Sequence, residues 1–302
     1  MKLSMLRAFV AVCDNNLNVT LAARLLNTTQ PSVSKQLLEF EGRMGHPLFI
    51  RQGKRFTKLM PLGESILPVA RNILIQCDNI MCLGEAHKSG ASSGDLRVGT
   101  THTQARYILP QVVQTFRKNY PQVSLHIVQA SPAQLLRLVE DNGVDLAICT
   151  EALENNETLR ALDSYSWNRC LIAPANHPLT TVRRVTLKTL TKYPLVTYLQ
   201  GFTGRNTFNE TFRRANISPN VAMSAADADV IKTYVRLGVG VGIIAQIAYD
   251  KKTDADLHMR SLGGLFPKMQ VRIAYHRQKF ISTAMRSFID IFQSHVGVSQ
   301  RK

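Results

Sequence analysis

Apolar residues in the first 45 positions recur at helical spacing in three short blocks. Leu6, Phe9, Val10 and Cys13 mark the first stripe, Ala22, Leu25 and Leu26 the second, and Val33, Leu37, Phe40 and Met44 the third. The breaks between them carry helix-start chemistry. Asn18 and Thr29 stand where an N-cap oxygen belongs, and Pro31 falls in a first turn, where its missing N–H is tolerated. The other face of the third block presents Gln30, Ser32, Ser34 and Lys35. Residues 48–56 switch to a hairpin pattern that turns at Gly53. From Pro61 a longer helix is predicted, with Ile66, Val69, Ile73, Ile80 and Leu83 on a and d heptad positions and Gln76 interrupting the seam. Pro68 removes one backbone hydrogen bond, so this helix is expected to bend there or to begin after Pro61.

Residues 88–95 are small and polar, the composition of a linker, and a domain boundary is placed there. Beyond it, β-rich runs at 96–100, 123–130, 145–150, 169–174, 195–198, 221–224, 240–245 and 270–275 alternate with amphipathic stretches. Such alternation predicts α/β layers with largely parallel strands. The 302 residues suffice for about two domains. No uninterrupted run of about 18 apolar residues is found, so no membrane span is expected, and the N-terminus does not read as a signal peptide.

Charge sharpens this picture. The chain carries 37 Lys and Arg against 21 Asp and Glu, a net +16, which favours polyanionic partners. Through residue 60 there are nine cations and three acids, so the helical N-terminus and its hairpin hold a disproportionate share of the excess. A polar, cationic helix face suits entry into the major groove, and the wing cations Arg51, Lys54 and Arg55 can reach phosphates and the minor groove. The five cysteines are odd in number and show no CxxC pair, which argues against a disulfide framework or a zinc knuckle.

In the downstream half, Thr101, Thr103 and Gln104 follow one predicted strand, Thr150 closes another, and Thr203 starts a helix after a third. Ligands gather at the carboxyl ends of strands in open α/β sheets, where hydroxyls, amides and helix N-termini suit a small anion. Threonines also simply cap helices, and Trp167 can be core filling. His102 has no recognisable nucleophile and orienting carboxylate around it, Cys149 reads as a buried small hydrophobe, and the glycines of 237–242 follow a helix and precede a strand, the reverse of a dinucleotide-binding turn. No catalytic constellation emerges.

The string AARLLNTTQPSVSKQL at 22–37, followed by MGHPLFIR at 44–51, resembles the N-terminal signature of the LysR-type transcriptional regulators. The segments TTHTQARY at 100–107, YPLVTY at 193–198, GFTGR at 201–205 and DADVIKTYVRLG at 227–238 resemble the sensor of that family's cysteine-regulon branch. The resemblance implies a winged helix-turn-helix over 1–60, a linker and dimerisation helix with hinge over 61–92, and a two-lobed α/β effector domain over 93–302 like that of periplasmic binding proteins. Lobe I would comprise 93–162 and 268–302, and lobe II 163–267. Gln30, Pro31, Ser32, Ser34, Lys35, Arg51, Lys54 and Arg55 would contact double-stranded promoter DNA. Thr101, Thr103, Gln104, Thr150 and Thr203, with Thr100 as a further candidate and Trp167 as a cleft wall, would hold an acetylserine-type compound or sulfate. The resemblance further implies a cytoplasmic homodimer or homotetramer without a cofactor, acting with RNA polymerase on genes of sulfur assimilation and cysteine biosynthesis. Regulation of nitrogen or other metabolism, a solute-binding protein, and a cytosolic α/β enzyme are the rival readings.

Overall fold

The computed structural model describes residues 1–53, 55–88, 94–155 and 157–299. Two compact units divide the chain. One comprises residues 1–90 with 278–280, and the other takes the remainder.

In the N-terminal unit, α1 (Leu3–Asp14), α2 (Val19–Leu25) and α3 (Gln30–Met44) precede a hairpin of β1 (Phe49–Gln52) and β2 (Arg55–Leu59), and α4 (Pro61–Lys88) follows. The expected caps are in place. Asn18 accepts from the Leu21 N–H at 3.0 Å, and Thr29 Oγ1 accepts from the Ser32 N–H at 3.4 Å. Phe9 anchors the core, edge-on to Phe40 at 5.5 Å and tilted against Phe49 at 5.6 Å, while Phe49 stacks on Phe56 across the hairpin at 4.4 Å. Leu25 departs from its expected stripe and is 62% exposed. The short α2 buries Ala22 and Ala23 instead, two small residues that let it lie close to its neighbours.

Helix α4 begins at Pro61 and runs through Pro68 without ending, so the later start is not observed. Its segment Pro61–Gly84 contains an 18-residue window with a mean hydropathy of 1.2, long and apolar enough to cross a membrane by length and composition alone, although no uninterrupted apolar run of that length occurs in it. Glu64, Arg71, Gln76 and Asp78 interrupt the segment, and its apolar residues follow a heptad seam. That pattern suits a partner helix better than lipid on all sides. Val69, Ile80 and Leu83 of the seam stand exposed in the single chain.

The second unit holds two five-stranded sheets. In the first, in the order β4-β3-β5-β12-β6, β3 (Gly94–Thr100), β4 (Val123–Gln129) and β5 (Leu146–Cys149) pair in parallel, β12 (Met269–His276) runs antiparallel to β5, and the edge strand β6 (Leu159–Trp167) runs antiparallel to β12. In the second, in the order β11-β7-β10-β8-β9, β8 (Leu195–Tyr198), β9 (Val221–Ala225) and β10 (Val241–Ala245) pair in parallel, β7 (Arg169–Pro174) runs antiparallel to β10, and the edge strand β11 (Leu257–Ser261) runs antiparallel to β7. The largely parallel expectation therefore holds: four strands of each sheet point one way, three of them as hydrogen-bonded parallel neighbours. Strands β6 and β11 were not expected at all, because their faces alternate buried and exposed only irregularly.

Helices α5 (His102–Tyr107), α6 (Leu109–Asn119), α7 (Pro132–Glu140) and α11 (Thr283–Ser299) accompany the first sheet, and α8 (Leu187–Leu190), α9 (Arg205–Arg214) and α10 (Ala228–Arg236) the second. The first crossing between lobes occurs at Asn168, not near residue 163, because β6 stays paired with β12 as far as Trp167. The return lies between β11 and β12, in keeping with the sequence pattern around residue 267. Most of the predicted linker, residues 89–93, lies outside the described residues.

Helix α11 closes the first lobe by packing Phe288 edge-on to Phe116 of α6 at 5.3 Å, both fully buried. Phe288→Ala is expected to destabilise this unit by about 3–5 kcal/mol, the usual loss for a buried phenylalanine, measurable as an earlier urea-unfolding midpoint.

Candidate functional site

Two surfaces gather the sequence-predicted residues. On the N-terminal unit, Gln30, Pro31 and Lys35 are exposed at the start of α3, and Ser32 and Ser34 are partly so. A cleft of about 520 Å³ is lined by Asn16, Asn18, Gln30, Ser34, Arg51 and Arg55 among others, so helix start and wing share one concave face. Gln30 Nε2 donates to Ser34 Oγ at 3.0 Å, which pre-orients two candidate base-reading side chains. Arg51 is more committed than the sequence suggests. It pairs with Glu41, whose other carboxylate oxygen accepts the Leu48 and Phe49 N–H groups, and it lies over the Phe56 ring at 4.9 Å. Arg55 is exposed, and Lys54 lies outside the described residues.

In the second unit, the sequence-predicted threonines fall at the carboxyl ends of parallel strands. Thr100 ends β3 beside Ile148 of β5, and its hydroxyl donates to the Ile148 carbonyl at 3.0 Å. Thr197 of β8 makes the equivalent bond to the Ile243 carbonyl of β10 at 3.2 Å. Thr100 is thereby engaged in the sheet. Thr101 caps the approach to α5 by position, without a side-chain cap bond. Thr103 is 2% exposed and Gln104 1%.

Aromatic groups behind these side chains set their orientation. The Tyr165 hydroxyl donates to Gln104 Oε1 at 2.7 Å, so the amide NH₂ is the end left to a ligand. Desolvation raises the Tyr165 pKa well above its ordinary value, which keeps that donor protonated. Trp167 is packed in the core, yet its indole Nε1–H donates to Thr150 Oγ1 at 3.2 Å, so it both fills space and orients a candidate ligand group.

Thr203 sits in the left-handed region at φ +36° and is nearly buried. Gly204 follows at φ +76° as the N-cap of α9. Its carbonyl accepts from Phe208 N at 3.1 Å and from Arg169 Nη2. Thr103 of the first lobe comes close to Tyr198 of the second, whose hydroxyl accepts the Ala245 N–H at 3.2 Å. Thr103 Oγ1 is nonetheless buried without a well-aligned hydrogen-bond partner, as is Arg169 Nη1. A buried polar group left so is costly unless something else meets it.

A second cross-lobe cluster sits beside the first. The Tyr107 hydroxyl donates to Asp229 Oδ1 at 2.7 Å, Arg106 Nε lies 3.6 Å from Asp229 Oδ2, and Lys232 Nζ stands 5.0 Å from the Tyr107 ring centroid. His102, Asp227 and Asp229 could approach a metal ion geometrically. Asp227, however, caps α10 by accepting from Val230 N, and Asp229 already faces two cations and a phenol, so the cluster reads as a latch between lobes.

Sequence reasoning missed Tyr165, Tyr198, Arg169 and Glu151. The legible signal was a lone arginine opening an otherwise apolar strand two residues after the only tryptophan, and an acid immediately after the strand-tip Thr150.

The model of bacterial regulatory helix-turn-helix proteins of the lysR family matches residues 3–64, and that of the LysR substrate binding domain matches residues 89–297. The chain is 42% identical to the HTH-type transcriptional regulator CysB of Haemophilus influenzae, over 98% of this chain and 91% of that protein. It is 37% identical to the HTH-type transcriptional regulator cbl of Klebsiella aerogenes, over 94% and 90% respectively. The crystal structure of the cofactor-binding domain of the Cbl transcriptional regulator superposes with a TM-score of 0.64 at 33% identity, covering 69% of this chain and 93% of that one.

The Thr203-Gly204 turn yields a stability test. A Cβ at Gly204 would collide with Arg169 Nη2, whereas one at Gly201, φ +80°, would meet nothing within 4 Å. Gly201→Ala is expected to cost about 1–3 kcal/mol of backbone strain, and Gly204→Ala distinctly more, read from unfolding midpoints of the two variants.

Proposed function

The chain belongs to the LysR family of bacterial transcriptional regulators and is not an enzyme, and from that premise we propose that it controls genes of sulfur assimilation and cysteine biosynthesis in response to a small anionic effector bound between its two lobes. The names CysB and Cbl among its relatives support the sulfur assignment. One observation carries the cleft assignment: Thr103 Oγ1 and Arg169 Nη1, from opposite lobes, are buried polar groups without a well-aligned partner at the tips of the two sheets. A compact anion such as sulfate, or the carboxylate of an acetylserine-type compound, supplies the acceptors they lack. Thr101, Gln104, Thr150 and Thr203 complete the set of hydroxyl and amide groups.

On the DNA side, Gln30, Ser32 and Ser34 face base edges, while Lys35 and Arg55 meet phosphates. Arg51, held by Glu41, stiffens the wing as much as it contacts the backbone. The exposed seam of α4 pairs protomers, and the dimer or tetramer acts in the cytoplasm on promoter-bound RNA polymerase. Effector binding favours one arrangement of the lobes and so changes the spacing of the DNA-reading heads.

Lys35→Ala is expected to weaken operator binding and to reduce the slope of log affinity against log salt by about one. Gel retardation across a salt series checks this, and an unchanged slope removes Lys35 from the phosphate contacts. Thr103→Ala is expected to leave operator affinity intact and to abolish the response to N-acetylserine and sulfate. Calorimetry showing wild-type effector binding by that variant would refute the cleft assignment.

A further inference from the structure

Two charged groups at the cleft lie outside every hydroxyl-bearing motif. Arg169 opens β7 at 4% exposure, its guanidinium 5.5 Å from the ring centroids of both Trp167 and Phe266. Nη2 donates to the Gly204 carbonyl, and Nη1 is buried without a partner. Loss of water around this group pulls its pKa down to about 10, so it remains a cation at neutral pH.

Glu151 faces it from the other lobe, one residue beyond Thr150. Burial raises its carboxyl above the ordinary value, while the Gly204 N–H and the Arg169 charge act in the opposite sense. Gly204 therefore stands between opposite charges, with its N–H toward a carboxylate and its carbonyl toward a guanidinium. Further titratable groups around the pair include the Cys149 thiol on the strand before Glu151, pushed up to about 12 by burial against the opposing charge of Arg272, and the Tyr198 hydroxyl of β8 beside Arg169.

An anion seated at the Thr203-Gly204 turn meets one cation and one resident anion. In a site shielded from water, charges at such range interact several times more strongly than on the surface. A single negative charge is matched by Arg169. A second one faces Glu151, and the neighbouring cation Arg205 is already engaged by the Tyr198 carbonyl and the Ser224 and Asn209 side chains. Neutral hydroxyls and amides from Thr101, Thr103, Gln104 and Thr150 can donate to an anion of either charge and bring no repulsion against the second charge. Discrimination between them falls to the charged pair.

We propose that Glu151 and Arg169 act as a charge filter in the cleft, favouring a monoanionic effector over a dianion. This rests on the cleft being the effector site. The test is calorimetry on the full chain at fixed pH and ionic strength, with N-acetylserine as the monoanion and sodium sulfate as the dianion. Glu151→Gln removes the resident anion without changing shape, and is expected to tighten sulfate binding about tenfold, the scale of one modest charge interaction. N-acetylserine affinity should move by less than about threefold on the same scale. Arg169→Gln is expected to weaken both ligands, and if that variant does not fold, by circular dichroism, the Glu151→Gln ratio decides alone. An unchanged ratio of sulfate to N-acetylserine affinity in Glu151→Gln overturns the filter and leaves the cleft assignment standing. Failure of wild type and Glu151→Gln to bind either ligand overturns both.

Discussion

A single residue, Asn168, separates the last position of one sheet from the first position of the other, and the residues proposed to hold the effector gather around that short passage. Trp167 closes β6 and Arg169 opens β7, so the chain has no slack with which to part an indole from a guanidinium. The Asn168 carbonyl accepts the Gln246 N–H at 2.9 Å, which ties the crossing to the end of β10. Lobe I thus delivers Trp167 to Thr150, and lobe II delivers Arg169 to Gly204, from one continuous stretch of backbone. Relative motion of the lobes must be absorbed at this residue and at the return between β11 and β12, because paired strands bound both passages.

The two lobes solve the same problem in the same way. Where parallel strands end, the carbonyls of the neighbouring strand need donors, and a threonine hydroxyl supplies one in each sheet: Thr100 to Ile148, Thr197 to Ile243. With those hydroxyls engaged, the residues just beyond them are the ones left for the proposed effector. This separates threonines that hold strands together from Thr103, whose hydroxyl has no well-aligned partner, a distinction that turns on chain position.

Much of this was legible in the sequence. The helical periods, the caps at Asn18 and Thr29, the hairpin at Gly53 and most parallel strands follow from local patterns that pack as they read. Leu25 was misread because a seven-residue helix pressed against its neighbours buries its small alanines and turns the leucine outward. Strands β6 and β11 escaped notice because antiparallel edge strands with one partly wet face carry a weak period. The strand-tip threonines were visible as a set, but Tyr165, Arg169 and Glu151 were not, since their significance depends on which groups from the other end of the chain come to face them. Arg51 shows the converse limit: its charge was evident, whereas its pairing with Glu41 required the hairpin to fold back over α3.

The apolar seam of α4 has a consequence for the protein as a material. A helix that keeps Val69, Ile80 and Leu83 in water as a lone chain gains free energy on pairing, so mass action links its cohesion to how many copies are present. With the proposed pairing, dilution alone loosens the regulator and accumulation tightens it. Copy number in the cell then sets the resistance of the polypeptide to unfolding and proteolysis as well as the occupancy of its operators.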